Sequence, residues 1–395
     1  MNKSNQTLAA IIITLSLLVF MSDTSYAKFG FNFGTSTTSS DNMFNDSNKV
    51  YDIFSTTSAS VDIYPLTSLK ISFSGEQTYY RETIGLGNVM GDLSLTFIPT
   101  KPQSKLSLYF SGSINGRTYH NEFSSIDNNY GQLSGVIGYQ LRPNLNIRGG
   151  VDYKATVYVN SDDDYKRDLD FFAGANYSFL GNNVLDMEFG YSMTNYTYKD
   201  RNLDSVQHWD NPDVYIPADI LWLFRIPDTK ENLQLLFMSY RLSRTIGSKT
   251  GLNVTYTSRI YQNYKGGFLW GASTGFLSPW TAVWDGQTVS FNLKSYIIPK
   301  LIIKTGIGYW DKSYLITSDK YDGSDTRTYA DAKSEDFARN DFVTKIYFGL
   351  QWPIAFSSGF FMEPTLNIEY TKNRSNKPLY YFDNFSITAG VSFRF

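Results

Sequence analysis

From residue 28 onward the chain alternates apolar and polar side chains with a period of two. At its end, Phe385, Ile387, Ala389, Val391, Phe393 and Phe395 fall on one face, and Ser386, Thr388, Gly390, Ser392 and Arg394 on the other. Successive side chains of a strand point to opposite sides, so this pattern predicts a β-strand with one apolar face. The same split separates Leu145, Ile147, Val151, Tyr153, Ala155 and Val157 from Asn146, Arg148, Asp152, Lys154, Thr156 and Tyr158. A slip of one residue would move all of those charges to the apolar side, which fixes the register. Similar faces recur as Leu106, Leu108, Phe110 and Ile114, as Met187, Phe189, Tyr191 and Met193, and as Phe360, Met362, Leu366, Ile368 and Tyr370.

Assigned by this period, the strands are 28–35, 50–64, 69–80, 91–99, 105–116, 131–142, 145–159, 168–180, 184–197, 232–244, 251–262, 286–298, 301–314, 341–352, 360–371 and 383–395. A soluble β-sandwich also alternates, but these segments are mostly longer than the usual strand of about 5–6 residues and suit tilted strands crossing a bilayer. Tyr and Phe gather near segment ends, at Tyr79 and Tyr80, Tyr196 to Tyr198 and Tyr380 to Phe382, where interfacial aromatic girdles are expected. Connections alternate between tight, Pro- or Gly-marked turns such as Pro143-Asn144 and Pro299-Lys300 and longer polar loops. The fold expected is all-β: a single up-and-down antiparallel transmembrane barrel of about sixteen strands, with turns on one rim and loops on the other.

The N-terminus adds a targeting expectation. Lys3, the apolar run 8–21 and Ser25-Tyr26-Ala27 match the three regions of a cleaved export signal, so 1–27 is expected to be removed and 28–395 to form the barrel. No later stretch is apolar enough for a helical span, leaving a barrel as the route into a membrane. Composition then excludes several classes. The 35 Lys plus Arg against 37 Asp plus Glu, a net charge of −2, provide no basic surface for nucleic acid. Zero Cys and 2 His remove thiolate chemistry and leave little for metal ligation, so no cofactor or metal is expected. His120 with Glu122 and His208 with Asp210 lack a spaced nucleophile, and an enzyme is not expected.

On these grounds the chain resembles outer-membrane β-barrel proteins, and more narrowly the sixteen-stranded porins. The resemblance rests on architecture and on the terminal Phe395 after alternating apolar residues, which looks like the signal read by the barrel-assembly machinery. The third loop, 117–130, lacks the Pro-Glu-Phe-type stretch that general porins fold into their channel. The resemblance implies the outer membrane of a Gram-negative bacterium, a lipid-facing exterior, passage of small hydrophilic solutes or ions and, by analogy, a homotrimer. The alternative is a docking barrel of a transport, polysaccharide-export or electron-transfer complex.

In this register Arg148, Lys154, Arg241, Arg259, Lys294, Lys304 and Lys345 face inward with Asp152, Asp186, Glu188, Glu363 and Glu369. So many charges in a dry core would each cost several kcal/mol unless paired, so a wet lumen is expected, with these residues lining the pore. Five of the bases gather on the strands from 232 to 352 and several acids on the three strands before them, a partial segregation that would set ion preference. The longest loop, 198–231, carries an unusual apolar run in which Tyr215, Ile220, Trp222 and Phe224 are candidates for a constriction. Trp270, Trp280 and Trp284 follow in the next long loop. Asp162-Asp163-Asp164 and Asp319, Asp322 and Asp325 lack the order of a calcium loop and suit solvated loop charge.

Overall fold

The structure is a computed structural model, and it describes residues 28–395 except 44, 46–48, 102, 121–123, 125–126, 160–164, 198–229, 264–283, 299, 315–338, 357–358 and 377. Residues 1–27, the expected export signal, and the loop residues Tyr215, Ile220, Trp222 and Phe224 therefore lie outside the described residues. The strands in chain order are β1 (Lys28–Ser40), β2 (Asp52–Leu66), β3 (Leu69–Tyr80), β4 (Asn88–Phe97), β5 (Leu106–Tyr119), β6 (Asn128–Arg142), β7 (Leu145–Tyr158), β8 (Tyr165–Phe179) and β9 (Asn183–Thr197). They continue as β10 (Lys230–Ile246), β11 (Thr250–Asn263), β12 (Asp285–Ile298), β13 (Leu301–Tyr314), β14 (Arg339–Gln351), β15 (Ile354–Ala355), β16 (Phe361–Ser375) and β17 (Phe382–Arg394). The two-residue β15 is a small hairpin addition to the β14–β16 turn, which leaves sixteen long strands in the wall.

Each long strand pairs antiparallel with its neighbours in sequence, and β1 pairs with both β2 and β17, so the sheet closes. Closure leaves no unpaired strand edge, the condition for a sheet to sit in hydrocarbon. Sixteen strands spaced about 4.8 Å apart and tilted about 40° enclose a cylinder about 30 Å across, wider than facing side chains can fill.

The two faces of the wall are chemically opposite. Outward on neighbouring β5–β8 stand Phe110, Ile114, Leu133, Ile137, Ile147, Val151 and Phe171, all exposed. Outward on β12–β14 stand Val289, Phe291, Ile307, Tyr309, Ile346 and Phe348, also exposed. Their register partners confirm a common face: Phe291 lies opposite Ile307, and Ile307 opposite Ile346. A belt of this size facing water would be an association surface of unusual extent, whereas lipid satisfies it. The residues between them carry hydroxyls, amides and charges toward the interior.

Strand ends depart from the period-based assignment. The first strand, expected at 28–35, runs on to Ser40, and β4 through β6 shift by up to three residues toward the loop rim. The reason is visible on β1, whose outward positions change from Phe29, Phe31 and Phe33 to Thr35, Thr37 and Ser39. Apolar alternation fades there while the ladder continues, and the hydroxyls bond across the pair, Thr37 to Ser55 at 2.9 Å and Thr35 to Thr57 at 3.4 Å. Longer strands shorten the loops, so the 98–105 turn is no shorter than the 81–87 loop on the opposite rim, and the expected strict alternation of lengths is relaxed.

The aromatic doublets are also corrected. Consecutive strand residues must diverge, so Tyr79 is exposed outward while Tyr80 turns inward and is buried against Phe54, with ring centroids 5.1 Å apart. Tyr80, Leu86 and Tyr119 form a small apolar cluster inside the loop rim. Beside it the carboxylate of Asp52, fully buried, accepts hydrogen bonds from the backbone N–H groups of Ile53, Arg81, Glu82 and Thr83 at 2.7–3.2 Å and from the Thr83 hydroxyl at 2.5 Å. This ties the start of β2 to the connection between β3 and β4. On the next loop Lys49 forms a 2.7 Å ion pair with Asp383, and that hydrogen bond raises its ammonium above the ordinary lysine range. On the turn rim, Leu180 and Gly181 both adopt positive φ, 48° and 70°, as a tight hairpin turn demands.

Candidate functional site

The interior wall gathers its charge into distinct groups. On β7, β9 and β10, Arg148 bonds Asp186 at 3.0 Å and Glu188 at 2.7 Å, while Arg241 reaches Asp186 at 2.8 Å. Arg148 spans two strands to do so because Gly174 of β8 stands between: a Cβ there would lie 3.3 Å from the guanidinium Nε and 2.7 Å from the Met187 carbonyl. A charge node thus lies flat against the wall, which keeps the space ahead of it open.

The same device recurs with aromatic side chains. Phe237 of β10 lies over Gly190, Tyr347 of β14 over Gly306 and Trp310 over Gly308 of β13, and Phe172 of β8 over Gly150, where a Cβ would stand 2.5 Å from the ring. These four aromatic side chains therefore fold onto glycine rather than across the lumen. The Phe172 and Phe237 placements were not anticipated, although Phe171-Phe172 offered a signal: one of two consecutive strand residues has to point inward.

The remaining predicted lining residues separate by environment. Lys345 and Glu369 form a 2.6 Å pair between β14 and β16, and Glu363 accepts a hydrogen bond from Gln351 at 2.6 Å. Lys154 stands opposite Asp168 and holds its ammonium 4.0 Å above the Tyr130 ring. Asp152 stands opposite Asp170. Asp168 is engaged by Lys166 at 2.8 Å and by the Thr194 hydroxyl at 2.6 Å, a buried group in which Lys166 had not been foreseen. Arg259 is buried, and its guanidinium lies 4.3 Å from the Trp284 ring, which Lys312 also approaches at 5.2 Å. Trp284, anticipated as a loop residue, stands just ahead of β12 and is buried with a cation on each of these two contacts.

Lys294 of β12 and Lys304 of β13 stand directly opposite each other in register. Neighbouring them, Asn292 donates to Asn253 at 2.9 Å and accepts from the Tyr347 hydroxyl at 2.8 Å. Acids and bases segregate only in part around the circumference: Asp152, Asp168, Asp170, Asp186 and Glu188 lie on β7–β9 together with Arg148, Lys154 and Lys166, and Arg241, Arg259, Lys294, Lys304 and Lys345 lie on β10–β14. His120, at the end of β5, packs against Gly87; His208 and Glu122 lie outside the described residues.

No protein-family model matches the chain, and no curated protein matches it. Among solved structures it is similar to Pseudomonas aeruginosa OpdQ, with a TM-score of 0.46 and 10% identity over 94% of this chain and 99% of that one. It is similar to OprD of the same organism, with a TM-score of 0.45 and 10% identity over 93% and 95%. Acinetobacter baumannii OccAB1 gives 0.45 and 9% over 93% and 96%. At these values the likeness adds nothing to what the strand pairing and the two faces already establish.

Proposed function

We propose that the chain is an outer-membrane channel of porin type, through which small hydrophilic solutes and ions diffuse down their gradients. The carrying observation is the opposition of the two faces of one closed sheet: sixteen long strands put Ile, Leu, Val and Phe outward and ion pairs, lysines and amides inward around a wide interior. A dry interior would penalise the inward charges by several kcal/mol each, while water solvates them. The flattening of Arg148, Phe172, Phe237 and Tyr347 against glycines supports an interior kept clear.

In this proposal the residues that line the path are Arg148, Asp152, Lys154, Asp186, Glu188, Arg241, Arg259, Lys294, Lys304, Lys345, Glu363 and Glu369. The exported precursor loses 1–27, and Phe395 is presented to the assembly machinery. Loop 198–231 narrows the mouth. Reconstitution of the mature chain in planar bilayers tests the proposal: stepwise ohmic conductance supports it, and folded, inserted protein without conductance rejects it. Deleting 215–226 raises the single-channel step if the loop constricts the path; an unaltered step removes the loop from the account.

A further inference from the structure

We infer that the inner wall at Lys294 and Lys304 is a binding subsite for a small oxyanion, a carboxylate or a phosphate, placed near the turn-side mouth of the barrel. The inference rests on the channel proposal for its route of access and deepens it by naming a solute class. Like charges directly opposite in a sheet repel and destabilise it, so such a pair persists with the least cost where a counter-charge comes from elsewhere. Among the described residues neither lysine forms an ion pair; the ammonium of Lys294 lies only over the Tyr296 ring, 5.3 Å from its centroid. The inward acids nearest along the wall are committed, Glu369 to Lys345 and Glu363 to Gln351.

The row containing the lysines carries glycine on either side of them, with the Asn367 amide of β16 lying over the glycine next to Lys304. Gly251 of β11 stands opposite Lys294, and Gly349 of β14 opposite Lys304. A Cβ at Gly251 would meet nothing within 4 Å, so there is open space beside Lys294. One row further from the turn, the Asn253–Asn292–Tyr347 chain of hydrogen bonds supplies a neutral polar border. Two flexible ammonium groups on adjacent strands can converge on the two oxygens of one carboxylate or on a phosphate, and each contact is a charge-assisted hydrogen bond. Both lysines lie within five residues of the β12–β13 turn, which sets the subsite at the end of the barrel away from the long loops.

Equilibrium binding of succinate and of inorganic phosphate to the detergent-solubilised, folded barrel tests this without requiring conduction. The expected result is saturable binding of at least one of the two, weakened roughly tenfold by Lys294→Gln or Lys304→Gln and abolished by the double variant. Lys101→Gln, which removes the same charge from the exposed 98–105 turn, is expected to leave binding unchanged. The tighter of the two ligands identifies the source of the oxyanion. Absent binding, or binding that both lysine variants keep or that Lys101→Gln weakens equally, overturns the subsite. In bilayers the same anions should reduce wild-type current and not that of the double variant. A chain that conducts but binds neither anion defeats the subsite alone, and one that binds but never conducts defeats the channel proposal alone.

Discussion

Replacing Arg148 with Met removes the centre of the charge node while keeping a side chain of similar length over Gly174. Two contacts are lost, at 3.0 Å to Asp186 and 2.7 Å to Glu188. The side chains are 32%, 12% and 28% exposed, between the surface regime, where ion pairs contribute about 0.2–1 kcal/mol, and the buried one, where cutting a pair costs about 3–5 kcal/mol. Discounting for solvent in the lumen gives about 1–2 kcal/mol per contact, so Arg148→Met should destabilise the barrel by about 2–4 kcal/mol. Asp186 keeps Arg241, so the bare carboxylate is Glu188. A second substitution, Glu188→Gln, should therefore cost less in the Arg148→Met background than in the wild type, with a coupling of about 1–2 kcal/mol. Arg241→Met, whose side chain is 53% exposed, should cost less than 1 kcal/mol. Urea unfolding in lipid vesicles, followed by Trp fluorescence, reads all three. Equal small losses for Arg148→Met and Arg241→Met, with zero coupling to Glu188, would refute a node held across Gly174.

Two further expectations follow from the wall and the rim. Gly190→Val places a branched side chain where the Phe237 ring lies, so stability should fall by about 1–3 kcal/mol and be partly restored by Phe237→Ala, since overpacking is relieved when the obstructing ring goes; failure of the rescue in vesicle unfolding would place the strain elsewhere. Asp52→Ala leaves the backbone donors of Glu82 and Thr83 without their acceptor, while that of Arg81 keeps the Ile53 carbonyl, so a loss of about 2–4 kcal/mol is expected, together with faster protease cleavage within 81–87; unchanged cleavage would show that this carboxylate does not hold the loop.

The faces of the wall were legible because a period of two needs only the order of apolar and polar residues. Leu145 to Tyr158 shows both faces in full, and its observed partners keep the expected register. Strand ends were less legible because backbone pairing continues where side-chain contrast stops, as at Thr35 to Ser40. Which charges meet was hidden more deeply. Arg148 and Glu188 are separated by forty positions, and their contact depends on a glycine in a strand that belongs to neither. Lys166 was missed because it falls where a loop was expected, just before the assigned start of its strand; the ladder extends to Tyr165 and carries it inside. The inward turn of Phe237 and Tyr80 likewise follows from parity, which overrides the preference of an aromatic side chain for lipid.

In this barrel alternate residues of each strand meet water and lipid. The chain has no native cysteine, so single cysteines report without background. On β14, Lys345→Cys and Tyr347→Cys should react readily with a charged, water-soluble thiol reagent in vesicle-inserted protein, and Ile346→Cys and Phe348→Cys should resist it while reacting with a lipid-soluble one. Reaction of all four alike, or the opposite alternation, would contradict a solvent-filled barrel with an apolar exterior.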